Sequence, residues 1–210
     1  MPDSTKKAIQ HLRKRPIGLL VVISAPSGAG KTTIAHAVMK QVPDVVRSVS
    51  VTDRDMRPGE ENGKDYFFVT RPAFKKLLSK NYFLESATVH NNNYGTPRKW
   101  VEKQVKEGKI VVLVIDVQGA EQIKKLYPGC VSIFILPPSM KELKQRLVKR
   151  NTETRESLTV RIRNAMVEYK FVHDYDYAVI NDDLNVAVDK VTSILNAEKC
   201  RVLRWIERKL

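Results

Sequence analysis

The sequence is poor in the residues that build disulfide scaffolds, metal centres and membrane spans. It has two cysteines, Cys130 and Cys200, among 210 residues, and no apolar run approaches the roughly 18 residues that a membrane-spanning helix needs. Two cysteines exclude a disulfide framework and favour a reducing compartment. The first 17 residues are charged but lack the apolar stretch of a signal peptide. We therefore expect a cytoplasmic protein with no membrane association. The histidines show no metal-ligand spacing and are expected to be ordinary surface or core residues: His11, His36, His90 and His173.

The chain has a large excess of positive charge, with a formal net charge of +14. This excess is consistent with nucleic-acid binding through phosphate contacts, or with a pocket for a small polyphosphate and additional basic surface. Charge alone does not specify a site, so we expect no specific nucleic-acid partner and leave weak contact open. Part of the excess lies in two terminal runs, which are usually solvated: Lys6, Lys7, Arg13, Lys14 and Arg15, and Lys199, Arg201, Arg204, Arg208 and Lys209.

Short β-branched runs alternate with helical patterns along most of the chain. Buried strands are predicted at 18–24, 109–117, 130–136 and 177–181, and helices at 31–40, from 139 onward, and at 156–169. Ser139 and Glu142 have the spacing of a capping box, and Asp182 or Asp183 is suited to cap a last helix. The apolar stripe of that helix comprises Leu184, Ala187, Val188, Val191, Leu195, Val202 and Ile206. This alternation predicts an α/β fold with a parallel, doubly wound sheet.

Two polar segments interrupt the alternation. Residues 50–100 mix charged, glycine-containing and aromatic stretches, and are predicted to form a small insertion on the sheet. Residues 149–164 are rich in arginine and are predicted to form a helical flap, which we call the lid. The predicted organisation is a basic tail at 1–17 and one domain at 18–210, with its core at 18–49, 101–148 and 165–210.

The stretch VVISAPSGAGKTTIAHAV carries a phosphate-binding pattern, in which Ala25 replaces the usual opening glycine. Gly28 and Gly30 allow successive backbone N–H groups to point at phosphate oxygens, at the positive end of the following helix. Lys31 can reach the β- and γ-phosphates, and the Thr32 hydroxyl can ligate Mg²⁺. We therefore predict a nucleoside triphosphate site on this P-loop (residues 25–32) and the residue after it: Ala25, Pro26, Ser27, Gly28, Ala29, Gly30, Lys31, Thr32 and Thr33.

The insertion offers a second phosphate site and a group that can select a base. Arg54 and Arg57, with the phenols of Tyr66 and Tyr94, suit a phosphate dianion because arginine pairs bidentately with phosphate. An ionised Glu85 only accepts hydrogen bonds, and guanine presents two adjacent donors whereas adenine does not. Ser50 and Thr96 can bond the other polar edges of the base. The alternative is that these are surface charges and packing aromatics.

Several motifs occur together in order: SVSVTDRDMRPGEENGKDYFF, FLESATVHNNNYGTPR, VIDVQGA, IFILPPS, KRNTETRES and VINDDL. In this order and spacing the chain resembles the guanylate kinases from about Gly18 to Ala197. The resemblance implies a P-loop NTPase core with a small mixed GMP-binding insertion and a helical lid, and the reaction of MgATP with GMP to give ADP and GDP. It also implies residue roles. Lys31, Arg57, Arg150 and Arg161 would be catalytic, and Asn181 would line the adenine side. The GMP site would comprise Ser50, Arg54, Arg57, Tyr66, Glu85, Tyr94, Gly95, Thr96 and Asp116.

The sequence departs from the common family pattern at several positions. Asp53 stands in place of threonine and Thr88 in place of glutamate, while Asn91 and Asn93 replace glycine and tyrosine. Val114 stands where an aspartate is common; Asp116 remains and can contact the guanine amino group or a magnesium-bound water. Three functions stay open: an active guanylate kinase, a catalytically weak phosphopeptide-binding module on the same fold, and another nucleotide kinase or a nucleic-acid binder.

Overall fold

The computed structural model describes residues 18–89, 91–149 and 155–201. The strands are, in chain order, β1 (Leu19–Ser24), β2 (Val45–Arg47), β3 (Val51–Thr52), β4 (Phe67–Phe68), β5 (Phe83–Val89), β6 (Asn92–Pro97), β7 (Ile110–Val114), β8 (Val131–Leu136) and β9 (Tyr177–Ile180). The α-helices are α1 (Lys31–Gln41), α2 (Arg71–Ser79), α3 (Arg98–Lys106), α4 (Val117–Leu126), α5 (Met140–Lys149), α6 (Arg155–Tyr169) and α7 (Leu184–Lys199), and a 3₁₀ turn covers Lys170–Asp174.

The larger sheet is parallel throughout, with strand order β2-β7-β1-β8-β9. Alternate residues of β1 point to opposite faces, so each face receives its own core. Val21 and Ile23 pack with apolar residues of α1 and α7, whereas Leu20 and Val22 pack with residues of α3 and α4. Helices therefore cover both faces, and the prediction of a parallel, doubly wound α/β fold is confirmed.

The smaller sheet lies within the segment predicted as an insertion and has the order β4-β3-β6-β5. It is mixed, because β3 pairs parallel to β4 but antiparallel to β6. Its core is Val51 with Phe74 and Phe83, whose rings stack at 4.7 Å between centroids. A Cβ on Gly95 would lie 2.6 Å from the Phe83 ring, so only glycine fits at this point of β6. The boundaries 50–100 and 149–164 stay predictions.

The end of one strand and the capping of one helix differ from the sequence prediction. The strand predicted at 109–117 ends at Val114, because the Asp116 carboxylate accepts the N–H of Gly119 at 2.9 Å and begins α4. Ser139 caps α5 by accepting the N–H of Glu142 at 3.1 Å. The reciprocal bond of a capping box is not made by Glu142, whose carboxylate pairs instead with Arg146 at 3.1 Å.

The last helix is capped by Asp183, which accepts the N–H of Val186 at 3.0 Å. Its buried stripe is Ala187, Val188, Val191 and Leu195, as predicted, but Leu184 is 39% exposed in the first turn. Several predicted residues lie outside the described ranges, namely Val202, Ile206, His11, His90, Arg150, Arg204, Arg208, Lys209 and the N-terminal basic run.

The carboxyl ends of the parallel strands bring the conspicuous loops to one edge of the larger sheet. The P-loop follows β1, Asp116 follows β7 and Asn181 follows β9. Ligands of open α/β sheets bind outside this edge, so the fold itself places the candidate site here. Within the described ranges, no helix combines the length and apolar character needed to cross a membrane.

Candidate active site

The P-loop turns tightly between β1 and α1. Gly28 and Gly30 have φ angles of 92° and 95°, a left-handed conformation that side chains disfavour. The N–H of Ala29 donates to the carbonyl of Pro26 at 3.1 Å, and α1 begins at Lys31. The Lys31 ammonium donates to the Ala25 carbonyl at 3.2 Å, which holds the charge over the loop. The two glycine turns and the start of the helix therefore lie where the sequence predicts them.

Asn181 supports the P-loop from beneath. Its side-chain amide donates to the Ala29 carbonyl at 2.8 Å, and its backbone N–H donates to Leu136 at 2.7 Å. The amide approaches so closely that a Cβ on Gly30 would lie 2.5 Å from its nitrogen. Asn181 is thus buried against the loop, and this contact is additional to the role that resemblance implies. Thr32 and Thr33, in the first turn of α1, are exposed.

An open cleft lies between the P-loop, the smaller sheet and α6. Its lining includes many of the residues predicted from the sequence, namely Ser27, Lys31, Ser50, Arg57, Tyr66, Glu85, Tyr94, Asp116 and Arg161. Five further lining residues were not predicted as site residues: Ala87, Val89, Val114, Ile115 and Glu168. Gly95 and Thr96, in β6, and Arg54, in the bend after β3, are not among the lining residues, and Arg150 lies outside the described residues.

Glu85 is a buried carboxylate at the floor of the cleft, 5% exposed. The hydroxyl of Thr96, itself fully buried, donates to its Oε1 at 2.5 Å. Burial raises the pKa of Glu85 to about 7; the hydrogen bond from Thr96 opposes this shift and the nearby Asp116 adds to it. The residue is therefore a buried acceptor whose pKa lies near neutral pH.

Because Gly119 has no side chain, the Glu85 carboxylate can occupy the space beside it. A Cβ at this position in α4 would lie 2.5 Å from Glu85 Oε2 and 3.4 Å from Asp116 Oδ1. Burial also raises the pKa of Asp116, while the N–H of Gly119 and the charge of Lys31 lower it. The start of α4 thus brings the two carboxylates close together.

Arg54 is held by a residue that the sequence analysis did not single out. Its Nη2 donates to both Glu60 oxygens, at 2.8 and 3.0 Å, and Glu60 also accepts the N–H of Arg57 at 2.8 Å. The Arg54 guanidinium lies 5.4 Å from the centroid of the Tyr66 ring, and its side chain is 9% exposed. Burial thus contradicts the alternative that Arg54 is a surface charge. In the sequence, the signal that could have pointed to Glu60 was its position six residues after Arg54 and three after Arg57.

Known proteins share this arrangement over almost the whole chain. The sequence model of one family, guanylate kinase, matches residues 18–198. A guanylate kinase of Clostridium perfringens (strain SM101 / Type A) is 50% identical over 202 residues, covering 96% of this chain and 94% of its own length. A guanylate kinase of Thermotoga maritima is 49% identical over 187 residues, covering 89% of this chain and 90% of its own. The crystal structure of guanylate kinase from Anaplasma phagocytophilum superposes with a TM-score of 0.78 at 38% identity, covering 90% of each chain.

The chain belongs to the guanylate kinase family. The resemblance stated from its motifs is thereby confirmed, as is the expected enzyme class, a phosphotransferase.

Four departures of this chain from the family pattern meet in one hydrogen-bonded network. Asp53 accepts the backbone N–H of Asn93 at 2.7 Å and its side-chain amide at 2.5 Å. Thr88 donates to the Asn93 side chain at 2.9 Å. Arg71, 3.6 Å from the Asp53 carboxylate, also donates to the Asn91 carbonyl at 3.3 Å. The replacements are therefore mutually satisfied, and they fasten β3, β5 and β6 beside Tyr94.

Replacing Glu85 with glutamine in this guanylate kinase is expected to stabilise the fold at neutral pH. Because the folded-state pKa is about 7 and the ordinary value 4.5, the folded protein binds the extra proton between these values. Stability therefore falls as pH rises through this window, and the loss is complete above it. The free energy of unfolding of Glu85→Gln should exceed that of the wild type by at most about 3 kcal/mol at pH 8, and by little at pH 4.

Urea unfolding at a series of pH values measures this difference. Glu121→Gln is the control, because the hydrogen bond and charge of Lys125 lower the pKa of this exposed carboxyl instead. That variant should show no gain at pH 8. A Glu85→Gln protein less stable than the wild type throughout would contradict the interpretation.

Proposed function

We propose that this guanylate kinase transfers the terminal phosphoryl group of ATP to GMP, with ATP on the P-loop and GMP against the smaller sheet. The observation that carries the site assignment is the buried Glu85, which faces the same cleft as Lys31 and Arg57. A buried acceptor at that position requires a ligand with donors. The alternative of a phosphopeptide-binding module gains no support from the intact P-loop.

Guanine fits the acceptor in the cleft. Its ring N–H and amino group are adjacent donors, and an ionised Glu85 accepts both with two oxygens. Adenine lacks this pair and would leave a buried charge without partners, which can cost roughly 10⁴-fold in discrimination. Ser50, just before β3, lines the same cleft, and the Thr96 hydroxyl bonds Glu85 itself.

The phosphate of GMP would be held by the residues around Arg54. Arg57 lines the cleft, and the rings of Tyr66 and Tyr94 meet edge to face at 5.8 Å with Tyr66 beside the Arg54 guanidinium. Two guanidinium groups and two phenols provide the donors that a phosphate dianion needs. Arg57 is the more exposed of the two arginines, and is the one placed to reach toward the donor phosphates.

Transfer requires alignment and charge stabilisation rather than a strong base. An anionic oxygen of the GMP phosphate attacks the γ-phosphorus of ATP, the bond to the bridging oxygen breaks, and ADP leaves with that electron pair. Lys31 would stabilise charge on the donor side, Arg57 and Arg161 on the transferring group. Arg161 lines the cleft from α6. The same role for Arg150 stays a prediction.

The chain's oxygen donors fit a magnesium ion that arrives with ATP. The Thr32 hydroxyl is exposed in the first turn of α1, and the Asp116 carboxylate lies in the cleft with Lys31. Hydroxyl, carboxylate and phosphate oxygens are the ligands that Mg²⁺ prefers. We propose that Thr32 binds the ion and that Asp116 holds one of its waters. When bound, Mg²⁺ supplies neutralisation of the phosphate charge.

A cytoplasmic location, and the absence of a specific nucleic-acid partner, also stay predictions.

Substrate selectivity tests the assignment directly. With MgATP and GMP, AMP, CMP or UMP in turn, ADP release should be strong with GMP alone. Lys31→Ala should lower kcat by about 10²-fold or more, since it removes the charge that stabilises the donor phosphates. Glu85→Ala should act mainly on the KM for GMP. Lys125→Ala, an exposed lysine paired with Glu121, is the control and should change neither constant.

Equal turnover of AMP and GMP by the wild type would remove Glu85 from its proposed role. Undiminished activity of Lys31→Ala would contradict the proposed role of the P-loop in binding ATP.

The affinity for GMP should depend on pH through Glu85. Since the pKa in the free protein is about 7, the accepting form falls from most of the population at pH 8 to a minority at pH 6. The KM for GMP should therefore rise about tenfold between pH 8 and pH 6. The Glu85→Gln variant lacks the titrating carboxyl, so its KM profile shows only the pH dependence that comes from the titration of GMP itself. Parallel profiles in the two proteins would contradict the assignment.

Glu60→Gln should weaken GMP binding through Arg54. The substitution removes the charge that orients this guanidinium, so the KM for GMP should rise about five- to tenfold, with kcat within about twofold. The neighbouring Glu61→Gln is a matched control, because Glu61 is exposed and pairs with Lys64 at 3.1 Å. Steady-state kinetics at saturating MgATP gives both constants. An equal effect of the two substitutions would show that only net charge matters.

A further inference from the structure

Helix α6 turns one side toward the cleft. Arg161 and Glu168, seven residues apart and hence two helical turns, both line it. Between them, Ala165 is fully buried and packs with Leu143 and Leu147 of α5. Helix α6 thus places a cation, Arg161, and an anion, Glu168, in the same cleft. The proposed phosphoryl transfer gives a role to Arg161 but none to Glu168.

The anion is bonded to the P-loop itself. Glu168 Oε2 accepts the N–H of Ser27 at 3.3 Å, across 141 residues of sequence. Burial raises the pKa of Glu168; the charge of Lys31 and the bond from Ser27 oppose the shift, and Asp116 adds to it. The carboxylate therefore sits where the P-loop offers a backbone donor and a cation, and where a second carboxylate repels it.

Backbone N–H groups of this loop and Lys31 are the features by which such a turn recognises phosphate. A carboxylate on one of them offers one charge and two oxygens, whereas a terminal phosphate offers up to two charges and three oxygens. The two anions cannot occupy the Ser27 N–H together. The stronger anion should displace the weaker one, and the bond to Glu168 should reduce the net affinity for the phosphate.

We propose that Glu168 competes with the donor phosphates for the Ser27 N–H and is expelled from it when they bind. The inference rests on the proposed assignment of ATP to this loop. Its consequence is that Glu168 lowers the affinity for MgATP, although it lies in the binding cleft. A residue that contacts or orients bound ATP would have the opposite effect when removed.

Titration calorimetry with MgATP, in the absence of GMP, tests the proposal on the full chain. Glu168→Gln keeps the shape and removes the charge, and should bind MgATP about five- to tenfold more tightly than the wild type. Binding of GMP should change less than twofold. Glu168→Asp keeps the charge but withdraws it from Ser27, and should also bind MgATP more tightly, about two- to threefold.

The matched control is Glu107→Gln, which makes the same change of charge. Glu107 ends α3 just before β7, at the opposite edge of the sheet from the cleft, and should leave the affinity for MgATP unchanged. Unchanged or weaker MgATP binding by both Glu168 variants overturns the proposal. Failure of the underlying assignment gives a different result, namely wild-type binding of MgATP that Lys31→Ala does not reduce.

Discussion

The proposed site depends on keeping negative charge out of water beside a loop that is proposed to bind the donor phosphates. Glu85, Asp116 and Glu168 all face the cleft around Lys31, and burial raises the pKa of each carboxyl. Each carboxylate persists because it has a donor: a hydroxyl from Thr96 for the first, and backbone N–H groups for the other two. A buried charge without such a donor would destabilise the fold. The donors thus decide where the carboxylates point, and so where the base and the phosphates can lie.

The buried positive charge of Arg54 likewise has a hydrogen-bonded partner of opposite charge. The Arg54 guanidinium is nearly buried, and Glu60 holds it by both oxygens while capping the turn that leads to Arg57. A buried ion pair contributes little net stability, because desolvation offsets most of the attraction. Its value here is orientation. The pair fixes one arginine against Tyr66 and leaves Arg57 exposed.

The sequence predicted those parts of the fold and site that local patterns encode. The strand before Gly28 and the helix that begins at Lys31 both appear in short windows. The end of β7 was misplaced because Asp116 continues an apolar run, while a contact three residues on makes it a helix cap. Glu168 was missed for a different reason. Its bond to Ser27 spans 141 residues, and no pattern on α6 distinguishes it from a solvated glutamate.

Val114 fits this balance of charge, although an aspartate is common at its position in the family. It lines the cleft at the end of β7, two residues before Asp116, together with Glu85 and Glu168. A carboxylate there would be a fourth negative group beside the three cations of the lining, Lys31, Arg57 and Arg161, and neighbouring like charges disfavour ionisation of one another. The apolar side chain of Val114 avoids that repulsion.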